Sequence, residues 1–280
     1  MLRRIVVSSC LVLALVGCGD VDGDETSATS AAPDTTAAPE TTTTTAPPEP
    51  LQILLTDDDG IAGPGLDVLA QALAALPDVE LTIVAPAEDQ SGTSDTTTDG
   101  PVTYADATTA SGIPGTAVAG FPADTIAVAL DELGLEPDLV VSGINRGQNI
   151  GPLVPVSGTV GAARTALRRG IPAVAASAGL EDATADYDGA AELVLDWIAE
   201  HRDALVSGSV PANAVVNFNV PTCTAGETRE LIEVPVATVI PEGVDPFHSD
   251  CTLVSVAPPA DDVAGIVGGY ATVSDVRADL

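Results

Sequence analysis

The sequence contains no lysine: all nine of its basic residues are arginine, set against 41 acids and two histidines, for a formal net charge of −32. That balance excludes nucleic acid polymers as partners, because their phosphates must be neutralised by side-chain cations. A small phosphorylated ligand stays compatible if a metal ion supplies positive charge locally. The shortage of histidine removes a second class. An exported serine hydrolase needs a Gly-x-Ser-x-Gly elbow and a usable histidine. No such elbow occurs, His201 falls at a polar helix end, and His248 lies in a Pro/Asp loop. Aromatics make up only 2% of the chain, so the core must be built from Ala, Val, Leu and Ile.

Long apolar runs are absent as well. The run Ile5 to Val16 is too short to cross a bilayer as a helix. Preceded by Arg3 and Arg4 and followed by Gly17 and Cys18, it describes an export signal. Leu15-Val16-Gly17-Cys18 resembles a bacterial lipobox, in which Cys18 becomes the acylated first residue of the mature protein. The plainer alternative is an ordinary cleaved signal with an incidental cysteine. From Gly19 to Pro50 the chain is Thr, Ala, Pro, Asp and Glu, too poor in apolar surface to offset its ordering entropy. The expected organisation is therefore a lipoprotein signal over 1–18, a disordered acidic linker over 19–50 and one folded domain over 51–280. Such a protein would sit on the outer side of the bacterial cytoplasmic membrane, held by its lipid. Beyond Cys10 and Cys18, only Cys223 and Cys251 remain, and in an exported protein they are expected to pair. The rival, a metal site with His248, lacks a second clear pair of ligands.

Within 51–280, apolar runs at Leu51–Leu55, Val79–Ala85, Asp138–Val141, Ala173–Ala176 and Ala214–Val220 read as buried strands. Val102–Tyr104 and Thr116–Ala119 read as shorter ones. Between them, helical spacing runs from Leu66 to Leu76, from Pro122 to Leu133, from Thr159 to Arg169 and from Tyr187 to Leu205. Trp197 falls on the inward face of the last helix. Alternation of this kind predicts an α/β, Rossmann-like three-layer domain with a mostly parallel sheet. Beyond Thr228, Val-rich pieces separated by Pro and Gly suggest a β-hairpin serving as a dimerisation arm.

Ligands of parallel sheets bind beyond the carboxyl ends of the strands, where three polar loops emerge together. The first is Asp57-Asp58-Asp59-Gly60, whose adjacent carboxylates repel one another unless a cation sits among them. Hard divalent ions such as Mg²⁺ or Mn²⁺ prefer such oxygen donors, although a solvated acidic turn would read the same way. The second loop, Ala85 to Gly92, offers Ser91 and carboxylates; the third, Ser142 to Gly151, offers glycines, Asn145 and Asn149. Ser157-Gly158-Thr159 then opens a helix, where backbone N–H groups can hold an anion or where Ser157 simply caps.

Taken together, Leu55 to Ile61, Gly63-Pro64-Gly65, Val84-Ala85-Pro86 with Gln90-Ser91-Gly92, Val141 to Asn145 with Gly147 and Asn149, and Ser157 to Val160 resemble the SurE family in order and spacing. The resemblance runs from about residue 51 to at least 178, and continues weakly through Gly269-Tyr270. It implies a metal-dependent phosphomonoesterase acting on nucleotides or broader phosphoesters, usually dimeric. It also implies Asp58, Asp59, Ser91 and Asn145 as ligands of Mg²⁺ or Mn²⁺, and Asn149, Ser157, Gly158 and Thr159 around the phosphate. One of Asp58 and Asp59 would serve in proton transfer. Departures are visible: Asp57 stands where the family usually has Asn, and Ala87-Glu88-Asp89-Gln90 replaces basic residues common after Ala-Pro-Asp. A tethered binding protein that no longer turns over substrate is the alternative these departures raise.

Overall fold

The computed structural model describes residues 49–180, 185–253 and 258–279. The signal, the lipobox Cys18 and nearly all of the linker expected over 19–50 lie outside those residues. Leu51–Thr56 forms β1, with Ile53 and Leu55 facing one side of the sheet and Leu54 the other, as the two-residue strand period requires. Helix α1 (Pro64–Ala74) starts on a proline, whose missing N–H is no loss in the first turn. Strand β2 (Val79–Pro86) returns parallel to β1, pairing Leu55 with Ile83. Strands β3 (Tyr104–Thr108) and β4 (Pro114–Val118) form a hairpin, and β4 continues the sheet beside β2. Helix α2 (Pro122–Ala127) runs on as a π-helical turn through Glu132.

Strand β5 (Leu139–Arg146) lies parallel to β1 on its other side. A 3₁₀ turn over Gly151–Val156 leads into α3 (Gly158–Arg168). The chain then forms β6 (Ala173–Ala178), α4 (Tyr187–Val206), β7 (Val215–Val220), β8 (Arg229–Glu233), α5 (Asp262–Val267) and β9 (Tyr270–Val276). Among the described residues nine strands make one sheet in the order β3-β4-β2-β1-β5-β6-β7-β9-β8. Only the β3–β4 and β7–β9 pairs are antiparallel.

Helices cover both faces. Leu66, Leu69 and Leu73 of α1 join Ala190, Val194 and Ile198 of α4 over Ile53, Leu55 and Val141. On the other side Ile126 and Val160, Ala163 and Leu167 of α3 pack on Leu54, Val84 and Val140. This is the expected α/β three-layer arrangement. Among the described residues no helix is long and apolar enough to cross a membrane.

Three details differ from the sequence reading. The strand expected at 102–104 lies at Tyr104–Thr108, because it is a largely exposed edge strand with little burial pattern to mark it. Asn145 is still in β5, not in a loop, since pairing with β6 resumes at Asn145↔Ser177 after a register shift. The carboxy-terminal strands are not a hairpin: β8 and β9 lie side by side but parallel, joined through α5 at the edge of the main sheet. Val-rich segments broken by Pro and Gly fix extended backbone, not strand direction, which is why the pattern did not distinguish the two.

Candidate active site

The carboxyl ends of β1, β2 and β5 meet the amino end of α3, and the three aspartates after β1 fall at that junction. Each takes a different partner. Asp57 is fully buried; its Oδ1 accepts the Asp58 backbone N–H at 2.9 Å, while Oδ2 has no hydrogen-bond partner among the described residues. Burial, then the neighbouring charges of Asp58 and Asp59, push its carboxyl well above the usual range. Asp58 is buried as well, and its Oδ1 accepts the Thr159 hydroxyl at 2.6 Å. Burial raises this carboxyl too, against the opposing pull of that hydroxyl. Asp59 Oδ2 accepts the Arg146 backbone N–H at 2.9 Å, and burial above all lifts its pKa to about 6. Among the described residues no group of three or more His, Cys, Asp and Glu gathers as a metal cluster. A cation here would need mixed oxygen donors.

Those donors surround one cavity of about 240 Å³, lined by Asp58, Ser91, Asn145, Asn149 and Ser157 among others. Asp59, Gly158 and Thr159 stand outside that lining. The Asn145 amide nitrogen donates to the Gly147 carbonyl at 2.5 Å, so its oxygen is the end left for a ligand. Ser91 is exposed, and its hydroxyl and backbone N–H both donate to Asp89 Oδ1, at 2.6 and 2.8 Å. The Ser91 loop is fastened to the site from both sides. The Gln90 N–H donates to the Asp58 carbonyl at 2.8 Å, and the Ser94 hydroxyl donates to the Pro155 carbonyl at 2.6 Å.

Ser157 caps α3, its Oγ accepting the Val160 N–H at 3.0 Å, and it lines the cavity at the same time. Gly158 lets the helix end and the carboxylate meet: a Cβ there would stand 2.7 Å from Asp58 Oδ2 and 2.8 Å from its Cβ. Among the described residues Arg146 is the one cation lining the cavity, and it is exposed. Positive potential for an anion therefore comes from the α3 amino terminus and a single guanidinium.

Asn149 is held more tightly than a free phosphate ligand would be. Its side-chain nitrogen donates to Ser177 Oγ at 2.9 Å and to Thr159 Oγ1 at 3.3 Å. Its backbone N–H donates to Asn219 Oδ1 at 2.7 Å, and its carbonyl accepts the Asn217 and Asn219 amides at 2.9 and 3.2 Å. Hydrogen bonds thus run from Asn149 through Thr159 to Asp58. The sequence reading missed Ser177, Asn217 and Asn219. Their signal was available: polar residues at alternate positions of β7 and near the end of β6, inside otherwise apolar buried strands.

Cys223 and Cys251 form a disulfide with Cα atoms 5.8 Å apart. The bridge takes both thiols away from the alternative metal site with His248.

Comparisons with known proteins agree with this geometry. The family model for Survival protein SurE matches residues 53–239. The 5′-nucleotidase SurE 1 of Burkholderia lata is 42% identical over 184 residues, covering 64% of this chain and 68% of that protein. The 5′-nucleotidase SurE of Methanoculleus marisnigri is 32% identical over 243 residues, covering 81% of this chain and 92% of its own. The crystal structure of the Sure protein from Aquifex aeolicus superimposes with a TM-score of 0.63 at 25% identity, covering 82% of this chain and 94% of that one. The chain belongs to the SurE family.

Proposed function

We propose that this chain is a phosphoric monoester hydrolase that cleaves nucleoside monophosphates with the help of a divalent metal ion. The observation that carries the reading is the convergence of Asp58, Ser91, Asn145 and the capped start of α3 on one cavity. The curated relatives named 5′-nucleotidase support the substrate class.

The residues fit a hard cation. A carboxylate, a hydroxyl and an amide oxygen are the donors Mg²⁺ or Mn²⁺ prefer. Asp58 and Asp59, both raised by burial, lie where positive charge is scarce. When bound, the ion would set positive charge against the phosphoryl oxygens. The chain's own residues do the rest. The α3 amino terminus and Arg146 attract the phosphate, and Thr159 holds Asp58 in place through its hydroxyl. Asp58, in the cavity wall, is the carboxylate positioned to take a proton from an attacking water. Asp57 does not line the cavity, and its buried carboxyl, held well above the ordinary range, adds no ligand to it.

The same reading extends to location and assembly. The amino-terminal signal, Cys18 and the Thr/Pro/Ala-rich linker support an exported enzyme anchored by lipid outside the cytoplasmic membrane, and the resemblance to the SurE family implies a homodimer or higher homo-oligomer. Radiolabelled palmitate incorporation lost in Cys18→Ala tests the anchor, and light scattering tests the assembly.

Phosphate release by the purified chain, with AMP and p-nitrophenyl phosphate under Mn²⁺, Mg²⁺ or EDTA, tests the activity. Release that needs metal and disappears in Asp58→Asn is expected. Metal-dependent nucleotide binding without release would make the protein a tethered binding module instead.

A further inference from the structure

A second cavity lies at the edge of the sheet opposite the three aspartates, and it shares no residue with the first. Its volume is about 560 Å³, within the range of small-molecule sites. Residues two apart on a strand face the same way. Val216 and Phe218 of β7, Val273 and Asp275 of β9, and Leu231 and Glu233 of β8 line it in such pairs. Strand register sets them side by side, with Phe218 opposite Val273 and Val273 opposite Glu233. Helix α4 adds one stripe at helical spacing, Leu193, Trp197, Glu200 and Ala204. Val216 and Val273 stay half-buried and Leu231 is 41% exposed, so α4 leaves this end of the sheet open.

The wall is aromatic and fixed. Trp197 and His201 stack with ring centroids 4.3 Å apart and planes 16° from parallel, and His201 Nδ1 donates to the Trp197 carbonyl at 2.9 Å. Around it stand four exposed carboxylates, Asp196, Glu200, Glu233 and Asp275. Among the described residues no arginine lines the cavity. Those on the elements that build it turn elsewhere. Arg202 of α4 donates to the Asp78 carbonyl and Arg229 of β8 to the Gly268 carbonyl at 2.9 Å. Arg277, just past β9, donates to Asp279 Oδ1 at 2.9 Å.

We propose that this cavity is a second binding site, for a small organic cation that carries its ammonium on an apolar body. The body fits the floor of Val216, Leu231 and Val273. The ammonium meets the carboxylates and the face of Trp197, whose ring quadrupole attracts cations. An anion is repelled by the four acids, and a neutral body gains only its apolar contact. Acids on a surface this negative attract any cation; the apolar floor beneath them is what selects an organic one. The site is independent of the phosphomonoesterase reading.

Trp197 is the only tryptophan in the chain, so its emission reports on this cavity alone. The test is titration of the full chain at low ionic strength with phenethylammonium, its neutral isostere 2-phenylethanol and its anionic counterpart phenylacetate. A saturable change in emission is expected with phenethylammonium, with about tenfold weaker affinity for the alcohol and no response to phenylacetate. Glu200→Gln with Glu233→Gln should lose about tenfold in affinity for phenethylammonium. Asp188→Asn with Glu192→Gln, which removes two acids of α4 outside the cavity, should leave that affinity unchanged. Should circular dichroism show the first pair unfolded, Asp196→Asn with Asp275→Asn carries the same comparison. Constant Trp197 emission, equal affinity for amine and alcohol, or equal loss in both double variants overturns the site.

Discussion

The Thr159 hydroxyl donates to Asp58 Oδ1 at 2.6 Å, while Gly158, one residue earlier, comes so close that a Cβ there would lie 2.7 Å from Oδ2. The Thr159 hydroxyl thus holds one oxygen of the carboxylate, and the missing side chain at Gly158 leaves room for the other. Gly158→Ala keeps or improves helix propensity, by roughly 1 kcal/mol at most, yet forces Asp58 out of place. The expected result is a melting temperature close to the parent's and a kcat/KM lowered by about tenfold or more, since small displacements of a reacting group are costly. Parallel calorimetry and phosphate-release assays separate the two effects. Unchanged kcat/KM would show that the contact does not position Asp58.

Much of this architecture was legible in the sequence. The β1 and β5 runs are buried on both faces and stand out as apolar segments, β2 is buried over its second half, and helical spacing marks α1, α3 and α4. The Asp57–Asp59 loop, Ser91, Asn145 and Ser157 were visible as polar breaks at strand ends, where a parallel sheet brings its loops together. What stayed hidden depends on long-range pairing. Nothing local tells β8 to lie parallel to β9, and nothing near Pro246 announces that Gln148, 98 residues earlier, will hold it. The separate orientations of Asp57, Asp58 and Asp59 were equally hidden, because a run of identical side chains gives no clue to which partner each will find.

Asp57 offers a stability test. Its carboxyl is raised by burial and by Asp58 and Asp59, so ionising it in the folded protein is unfavourable. The unfolded chain gives up that proton readily near the ordinary value of 3.8, and stability falls as pH rises above it. Asp57→Asn removes the penalty at neutral pH and little at pH 4. A gain of about 1 kcal/mol, or ~2–4 °C in melting temperature for a chain of this size, is expected at pH 7 and should shrink towards pH 4. A gain independent of pH would assign the effect to shape, not charge.

The Cys223–Cys251 bridge closes a loop of 28 residues. Chain-entropy reasoning gives ~3–4 kcal/mol for a loop of that length. Cys223→Ser with Cys251→Ser, measured by urea unfolding under non-reducing conditions, should lose stability of that order. Phe247, four residues before Cys251, lines the site cavity, so the double variant should also raise KM for AMP more than kcat changes. Loss of stability with an unaltered KM would mean that the segment from Asp245 to Asp250 keeps its place without the bridge.

Asp59 contributes to the pH dependence of the metal-free protein in a defined window. Its carboxyl titrates at about 6 in the fold against an ordinary 3.8. Below 3.8 both states hold the proton and the group contributes nothing. Between 3.8 and about 6 the unfolded chain releases it first, so stability falls as pH rises, and above about 6 the loss is complete. A bound cation reverses the preference, because it requires the ionised carboxylate and competes with the proton. With EDTA present, Asp59→Asn should therefore gain melting temperature relative to the parent as pH climbs from 4 to 7. With Mn²⁺ the parent should be stabilised at pH 7 and progressively less towards pH 5. Scanning calorimetry of the two proteins under both conditions decides it: if the gain of Asp59→Asn in EDTA is flat with pH, burial of this carboxyl is not what links the site to pH. If Mn²⁺ stabilises the parent equally at pH 5 and 7, Asp59 is not among the groups the ion needs ionised.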